Sequence, residues 1–316
     1  MRPEGSAADC ADGVAVAAGG GADGVRAEAP VTPPVHPFDA DTALEPAGEG
    51  RWRASAPDRW MVGRGPNGGF LAALAARAAE AASGRPLRAL ALQFVAAPTG
   101  APLDVSAVVE RAGRMTSAVS VRIEQDGSPQ VLAFATLAGL PAGGIEWDRT
   151  EMPRARPLAE SPVVRLHEAG IPAFMHNYDM RWALGGMPGA ATATETGGWL
   201  RTAEPRALDA PLVAAMTDAW APAAYAATGR FFAAPTLDLV IHVRRPLPPP
   251  GMTPDDHVLV RFSTRLSVGG VWEEDGELWT PGGELIAQSR QLALARERPR
   301  RSAETARGSA PESRPG

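Results

Sequence analysis

The sequence predicts an α+β protein in which a long helix wrapped by an antiparallel sheet occurs twice. Two segments share one order of patterns: an alanine-rich apolar stretch with helical spacing, followed by strands of alternating polarity. Setting Pro98 against Pro246, an offset of 148 residues, brings the segments into register. A helix of this kind covers one face of a sheet, so two such units are expected to pair along a seam.

The composition excludes several kinds of chemistry. The 316 residues include 31 basic and 36 acidic side chains, and every basic side chain is Arg. The absence of Lys excludes a P-loop or Schiff-base site, and the single Cys10 excludes intramolecular disulfides and cysteine zinc sites. The five His residues form no ligand pair, so we expect neither a metal nor another cofactor. The net charge of −5 argues against a nucleic-acid partner.

The chain divides into two units between two tails. Residues 1–34 and 297–316 lack aromatic residues and periodic apolar patterns, which predicts disorder. Between them we expect an N-terminal unit at 35–142, a linker at 143–165 and a C-terminal unit at 166–296. No run of about 18 apolar residues predicts a membrane span. No targeting signal is recognisable, so a cytoplasmic location is expected.

The first unit opens with a short strand at 51–56 and a glycine-rich loop. Asn67 is expected to cap a helix over 70–82 that ends at Ser83-Gly84. Asp126-Gly127 is a hairpin signal. Four strands are predicted after the helix, at 87–96, 103–110, 118–124 and 131–137.

The second unit repeats this order. Strand-like pieces at 173–182 and 198–203 come first. Asp209 as cap and Pro211 in the first turn open a second helix, whose apolar stripe continues to Gly229. Four further strands are predicted, at 236–243, 258–266, 271–279 and 285–294.

Three local motifs resemble the acyl-CoA thioesterase II-like family. Gly65-Pro66-Asn67-Gly68-Gly69-Phe70-Leu71 is similar to that family's helix opening. The segment at 236–246 resembles its second-half strand, and the segment at 284–291 resembles its last strand. The similarity covers about residues 38–295. It implies a double hotdog fold and the hydrolysis of an acyl-CoA substrate.

The resemblance also implies an active site. The family uses an Asp on the second helix, a Thr or Ser at the head of the next strand and a Gln on the last strand. These positions fall on Asp218, Thr236 and Gln291. Thioester hydrolysis needs a positioned water, a base and a stabilised oxyanion. Asp218 would hold or deprotonate the water, while Thr236 and Gln291 would fix it.

Substrate-binding candidates lie at a helix start and at a strand end. Asn67, Gly68 and Gly69 open the first helix, where backbone N–H groups can polarise a carbonyl and the absence of a Cβ permits close approach. Arg244 and Arg245 follow a strand and are candidates for binding the phosphates of coenzyme A. Each of these residues also has an ordinary structural explanation, as helix-start geometry or as a solvated turn.

Two other functions stay open at this point. A hotdog enoyl-CoA hydratase resembles this pattern but carries a His a few residues after the helix Asp, whereas no His occurs between Asp218 and His242. A non-catalytic acyl-CoA-binding protein would bind the thioester without turnover. The sequence does not determine the acyl-chain length, and it leaves homo-oligomerisation open.

Overall fold

A computed structural model describes residues 35–100, 102–139, 143–164 and 171–296. The two predicted tails, 1–34 and 297–316, lie outside the described residues. No helix in the described part of the chain is both long and apolar enough to cross a bilayer.

The described residues form fifteen strands, and thirteen of these make one antiparallel sheet. In chain order the strands are β1 (Glu45–Gly48), β2 (Arg51–Ala54), β3 (Met61–Val62), β4 (Gly65–Pro66), β5 (Leu87–Phe94), β6 (Leu103–Ala112), β7 (Thr116–Gln125), β8 (Ser128–Ala138), β9 (Tyr178–Gly185), β10 (Glu195–Thr202), β11 (Thr236–Val243), β12 (Val258–Ser263), β13 (Ser267–Val268), β14 (Val271–Trp279) and β15 (Leu285–Leu294). Across the sheet the order is β1-β2-β6-β7-β8-β5-β11-β15-β14-β12-β10-β9. β13 pairs with β14, and β3 and β4 form a separate two-stranded sheet.

The two halves of the sheet meet where β5 pairs with β11. These are the first strands after the helical stretch of each half, and Leu92 lies opposite Leu239 in their antiparallel register. β8 flanks β5 on one side, and β15 flanks β11 on the other. The ladder of backbone hydrogen bonds therefore continues across the seam, which confirms the predicted pairing of two helix-and-sheet units.

The first helical stretch forms α2 (Gly68–Ser83), after the short α1 (Pro37–Asp41). Asn67 caps α2 as predicted, since its side chain accepts a hydrogen bond from the Phe70 N–H at 3.1 Å. Gly84 ends the helix in the left-handed conformation, with φ of 66°. Most of the helix is buried Ala, Leu and Phe, and the small alanines allow it to lie close to the sheet.

The second helical stretch is interrupted, so the prediction of one helix up to Gly229 is wrong. It forms α3 (Ala210–Met216), which Asp209 caps as predicted, and α4 (Ala223–Thr228). Pro222 gives the physical reason. It has no N–H to donate to the carbonyl of Asp218 four residues earlier, and its ring would collide with that carbonyl in a helix.

A second correction concerns the strand predicted at 173–182. Residues Ala173–Asn177 form a 3₁₀ helix, and β9 begins only at Tyr178. The apolar spacing of Phe174 and Met175 suits a short helical turn as well as a strand, and Pro172 starts that turn. The connector before it packs on the sheet through Met152 and Leu158.

Candidate active site

Asp218 lies at the interruption between α3 and α4. Thr217 ends α3, and its hydroxyl donates to the Ala214 carbonyl at 2.8 Å. The Asp218 carbonyl would pair with residue 222 in a continuous helix. It instead accepts a hydrogen bond from Asn67 Nδ2 of the first half, at 3.0 Å. The first half therefore stabilises the break at which Asp218 lies.

The Asp218 carboxylate is held by groups at the start of α2. Its Oδ2 accepts hydrogen bonds from Asn67 Nδ2 and from the Gly69 N–H, both at 2.9 Å, and neither bond uses Oδ1. Burial raises the pKa of Asp218 to about 6, although the hydrogen bonds from Gly69, Asn67 and Gly68 lower it. The group is thus mostly ionised at neutral pH, yet more basic than an ordinary aspartate.

The small residues at the start of α2 are required by this close approach. A Cβ on Gly69 would overlap the Ala215 carbonyl of α3, and one on Gly68 would lie 2.9 Å from Asp218 Oδ2. The sequence predicted that Asn67, Gly68 and Gly69 bind the substrate. In the structure the Gly69 N–H and the Asn67 amide donate hydrogen bonds to Asp218 Oδ2, so they position the carboxylate.

Thr236 and Gln291 are brought together across neighbouring strands. Thr236 begins β11, and Gln291 is buried in β15 beside it. The Thr236 hydroxyl donates to Gln291 Oε1 at 2.9 Å. Gln291 Nε2 donates in turn to Glu274 Oε1 at 2.8 Å, from the opposite position on β14.

Glu274 belongs to this hydrogen-bonded group and is a candidate site residue that the sequence prediction missed. It is 4% exposed, and its Oε2 accepts a hydrogen bond from the Ala223 N–H at 2.6 Å. Burial raises the pKa of Glu274 to about 8, and the nearby charge of Asp218 contributes to this increase. Glu274 therefore links the Thr236–Gln291 pair to the surroundings of Asp218.

Glu274 could have been found from the alternation in β14. Trp272 and Leu278 have the same parity along the strand and are buried. This pattern predicts that residue 274 also points inward. The signal was hidden because Glu274 lies between Glu273 and Asp275, and such an acidic run suggests a solvated face.

Tyr178 is a second buried group within electrostatic reach of Asp218. Burial raises its pKa, and the Asp218 charge adds to the effect. Its ring packs edge-on against Trp60, with centroids 6.0 Å apart. Within the described residues its hydroxyl has no hydrogen-bond partner.

The two predicted phosphate-binding arginines differ in their surroundings. The Arg245 guanidinium is paired with Asp148 at 2.6 Å and with Glu284 at 3.5 Å. Arg244 is exposed, and no salt bridge to it is found in the part of the chain that the structure describes. Arg244 is therefore the freer of the two cations.

No group of three or more His, Cys, Asp or Glu among the described residues could hold a metal ion. A cavity of about 410 Å³ lies beside α4, where Ala224, Phe232 and Trp272 form part of its apolar wall. Asp218, Thr236 and Gln291 do not line it.

Solved structures with the same fold share the whole architecture. A conserved protein of unknown function with a hot dog fold from Alicyclobacillus acidocaldarius has a TM-score of 0.74 and 24% identity, covering 83% of this chain and 99% of its own. The tesB protein of Mycobacterium avium subspecies paratuberculosis has a TM-score of 0.67 and 22% identity, covering 82% and 98%. The acyl-CoA thioesterase II TesB2 of Mycobacterium marinum has a TM-score of 0.66 and 21% identity, covering 83% and 98%. At these identities the likeness shows the fold.

Two family models supply the identity. The acyl-CoA thioesterase N-terminal domain matches residues 56–138, and the acyl-CoA thioesterase C-terminal domain matches residues 146–295. No curated protein matches the chain. The two matched spans together cover more than half of the 316 residues, in the order of the two halves of the sheet. The chain therefore belongs to the acyl-CoA thioesterase family, with the double hotdog fold and thioester hydrolase activity.

Proposed function

We propose that this chain hydrolyses an acyl-CoA thioester to the free acid and coenzyme A with a water held by Asp218, Thr236 and Gln291. The observation that carries the proposal is the Asp218 carboxylate, which is fixed by Asn67 and Gly69 and has its basicity raised by burial. A thiolate leaves readily, so orienting and deprotonating water is the demanding part of the reaction.

The hydrogen bonds suggest a role for each side chain. The bonds from Asn67 and Gly69 occupy Asp218 Oδ2, and Oδ1 is then the oxygen to accept the proton of water. The Thr236 hydroxyl donates its hydrogen bond to Gln291 Oε1. Its lone pairs can therefore accept a hydrogen bond from the water. Gln291 gives one N–H to Glu274 and has a second to donate.

With these roles, water, the thioester and Asp218 account for every bond and proton in the reaction. The water oxygen bonds to the thioester carbon while Asp218 takes a proton, and the resulting tetrahedral intermediate expels the coenzyme A thiolate as the C–S bond breaks. The proton on Asp218 passes to the thiolate, which regenerates the carboxylate. Arg244 is proposed to bind a phosphate of coenzyme A, and Asn67, Gly68 and Gly69 are proposed to act through Asp218 rather than on the carbonyl.

Replacing Asp218 by Asn tests this mechanism. Asn keeps the shape but cannot act as a base, so turnover of acyl-CoA esters should fall by about 10²–10⁴-fold, with little change in affinity. The release of free thiol measures turnover. Asp255→Asn is the matched control, since Asp255 is exposed and its replacement removes the same charge.

Two outcomes would contradict the proposal. A folded Asp218→Asn protein that hydrolyses thioesters at the wild-type rate would remove Asp218 from the mechanism. Tight binding of acyl-CoA by the wild-type chain, without release of thiol from any ester, would instead support the non-catalytic function.

A further inference from the structure

We propose that Glu274 is a positioning residue for the hydrolysis, because it orients the Gln291 amide and fixes that amide to the start of α4. The inference rests on the proposed function, in which Gln291 and Thr236 hold the water.

The first support is the geometry of the carboxyl group. Oε1 accepts from Gln291 Nε2 at 2.8 Å, and Oε2 accepts from the Ala223 N–H at 2.6 Å. The side chain is almost fully buried, so solvent cannot replace either donor. A buried carboxyl that lost a partner would be strongly destabilised, and both partners are therefore held firmly in place.

The second support is the effect on the Gln291 amide. An amide side chain has a donor end and an acceptor end, and its orientation follows from its neighbours. Because both oxygens of the ionised Glu274 accept, the NH₂ group faces Glu274 and the carbonyl faces Thr236. The Thr236 hydroxyl must then donate to Gln291, which leaves its lone pairs for water.

A donor at residue 274, whether an amide or the protonated form of Glu274, would reverse this arrangement. The Gln291 carbonyl would turn toward residue 274, and the NH₂ group would turn toward Thr236. Thr236 would then accept from Gln291 and lose an acceptor site for the water. Glu274 thus determines which atoms of the pair face the substrate, although it does not contact the reacting atoms in the proposed mechanism.

The third support is the connection to the Asp218 turn. Ala223 is the first residue of α4 and directly follows the turn that contains Asp218 and Pro222. Through one carboxyl group, Glu274 joins β14 and β15 of the sheet to the end of that turn. Its loss should therefore loosen the spacing between the base and the Thr236–Gln291 pair.

The test compares Glu274→Gln with Glu277→Gln, a control on the same strand whose side chain is partly exposed beside Arg261. In Glu274→Gln, the introduced NH₂ group must face one of the two donors that Glu274 accepts from, the Ala223 N–H or the Gln291 amide. In assays above pH 8, where Glu274 is ionised, we expect kcat to fall by about 10–100-fold, the usual effect of a small misplacement, while KM stays within about threefold. The control should keep the wild-type kcat.

A double-mutant cycle separates positioning from a general structural role. If Glu274 acts through Gln291, adding Glu274→Gln to Gln291→Ala should lower kcat by less than about twofold. Full multiplication of the two losses would overturn the inference. So would a folded Glu274→Gln protein that melts at a lower temperature but keeps the wild-type kcat.

An exchange variant covers the case in which Glu274→Gln does not fold. In Glu274→Gln with Gln291→Glu, the Ala223 N–H can donate to the new amide oxygen. The new NH₂ group can donate to the carboxylate at 291, which also accepts from Thr236. The exchange should therefore melt above both single variants, and a lower melting temperature would overturn the inference.

The same assays distinguish this inference from the proposed function. If the wild-type chain is active and Asp218→Asn is inactive, a wild-type rate for Glu274→Gln refutes the role of Glu274 alone. If the wild-type chain releases no thiol from any acyl-CoA ester, the proposed function fails and the inference fails with it.

Discussion

Asn67→Ser removes the link between the two halves at the site while it keeps the helix cap. Ser is as good an N-cap as Asn, so α2 should lose only a few tenths of a kcal/mol at its start. The change deletes the Nδ2 donor, which bonds both the Asp218 carbonyl and Oδ2 of its carboxylate. The perturbation therefore acts on the interruption between α3 and α4 and on the proposed base.

The magnitude follows from the two hydrogen bonds. A hydrogen bond to a charged group contributes about 1.5–3 kcal/mol, and a neutral one about 0.5–1.5 kcal/mol. We expect Asn67→Ser to lower the free energy of unfolding by about 2–4 kcal/mol. The Asn67 hydrogen bond also lowers the pKa of Asp218, so its loss should move the acid limb of the rate profile above pH 6.

Urea unfolding of Asn67→Ser, Asp218→Asn and the double variant measures the coupling between the two residues. The two single variants should together lose more unfolding free energy than the double variant loses, because both changes affect the hydrogen bond between Asn67 and Asp218. Asn67→Ala serves as the control that also removes the cap. Equal destabilisation by Asn67→Ser in the wild-type and Asp218→Asn backgrounds, with an unshifted acid limb, would refute this account of Asn67.

Two further predictions concern pH and packing. Because burial raises the pKa of Asp218 to about 6 and that of Glu274 to about 8, the folded chain binds these protons more tightly than the unfolded chain. Stability should therefore fall as the pH rises from about 4 to 8, by roughly 3 kcal/mol for Asp218 alone. Over the same range kcat/KM should rise through pH 6; melting curves that improve with pH would contradict the assignment. Gly69→Ala should destabilise the chain by about 1–3 kcal/mol in urea because its Cβ overlaps α3, whereas exposed Gly282→Ala should be nearly neutral.

Most of the fold could be predicted from periodicity and turn residues. The cap at Asn67, the Asp126-Gly127 hairpin and the strand at Thr236–Val243 all follow from local rules, and the structure has them. The interruption after Met216 was missed because the apolar stripe continues through it. Pro222 carries the signal, but its effect appears four residues earlier, at the carbonyl of Asp218.

The candidate site was only partly predictable for a related reason. A family resemblance indicates Asp218, Thr236 and Gln291, whereas their hydrogen-bond partners depend on tertiary packing. Asn67 meets Asp218 only because α2 packs against α3. Glu274 meets Gln291 only in the register of β14 and β15. A strand pattern gives the face on which a residue lies, but not its neighbour on the next strand.

The seam between β5 and β11 also removes a constraint that symmetry would impose. If two identical subunits built the same sheet, each substitution would occur on both sides of the interface. Here both sides belong to one chain, so α2 can stay continuous while its counterpart is interrupted after Met216. The covalent connection also fixes the local concentration of one half around the other. Dilution therefore cannot separate Asn67 from Asp218, and the pair that holds the carboxylate should persist at any enzyme concentration.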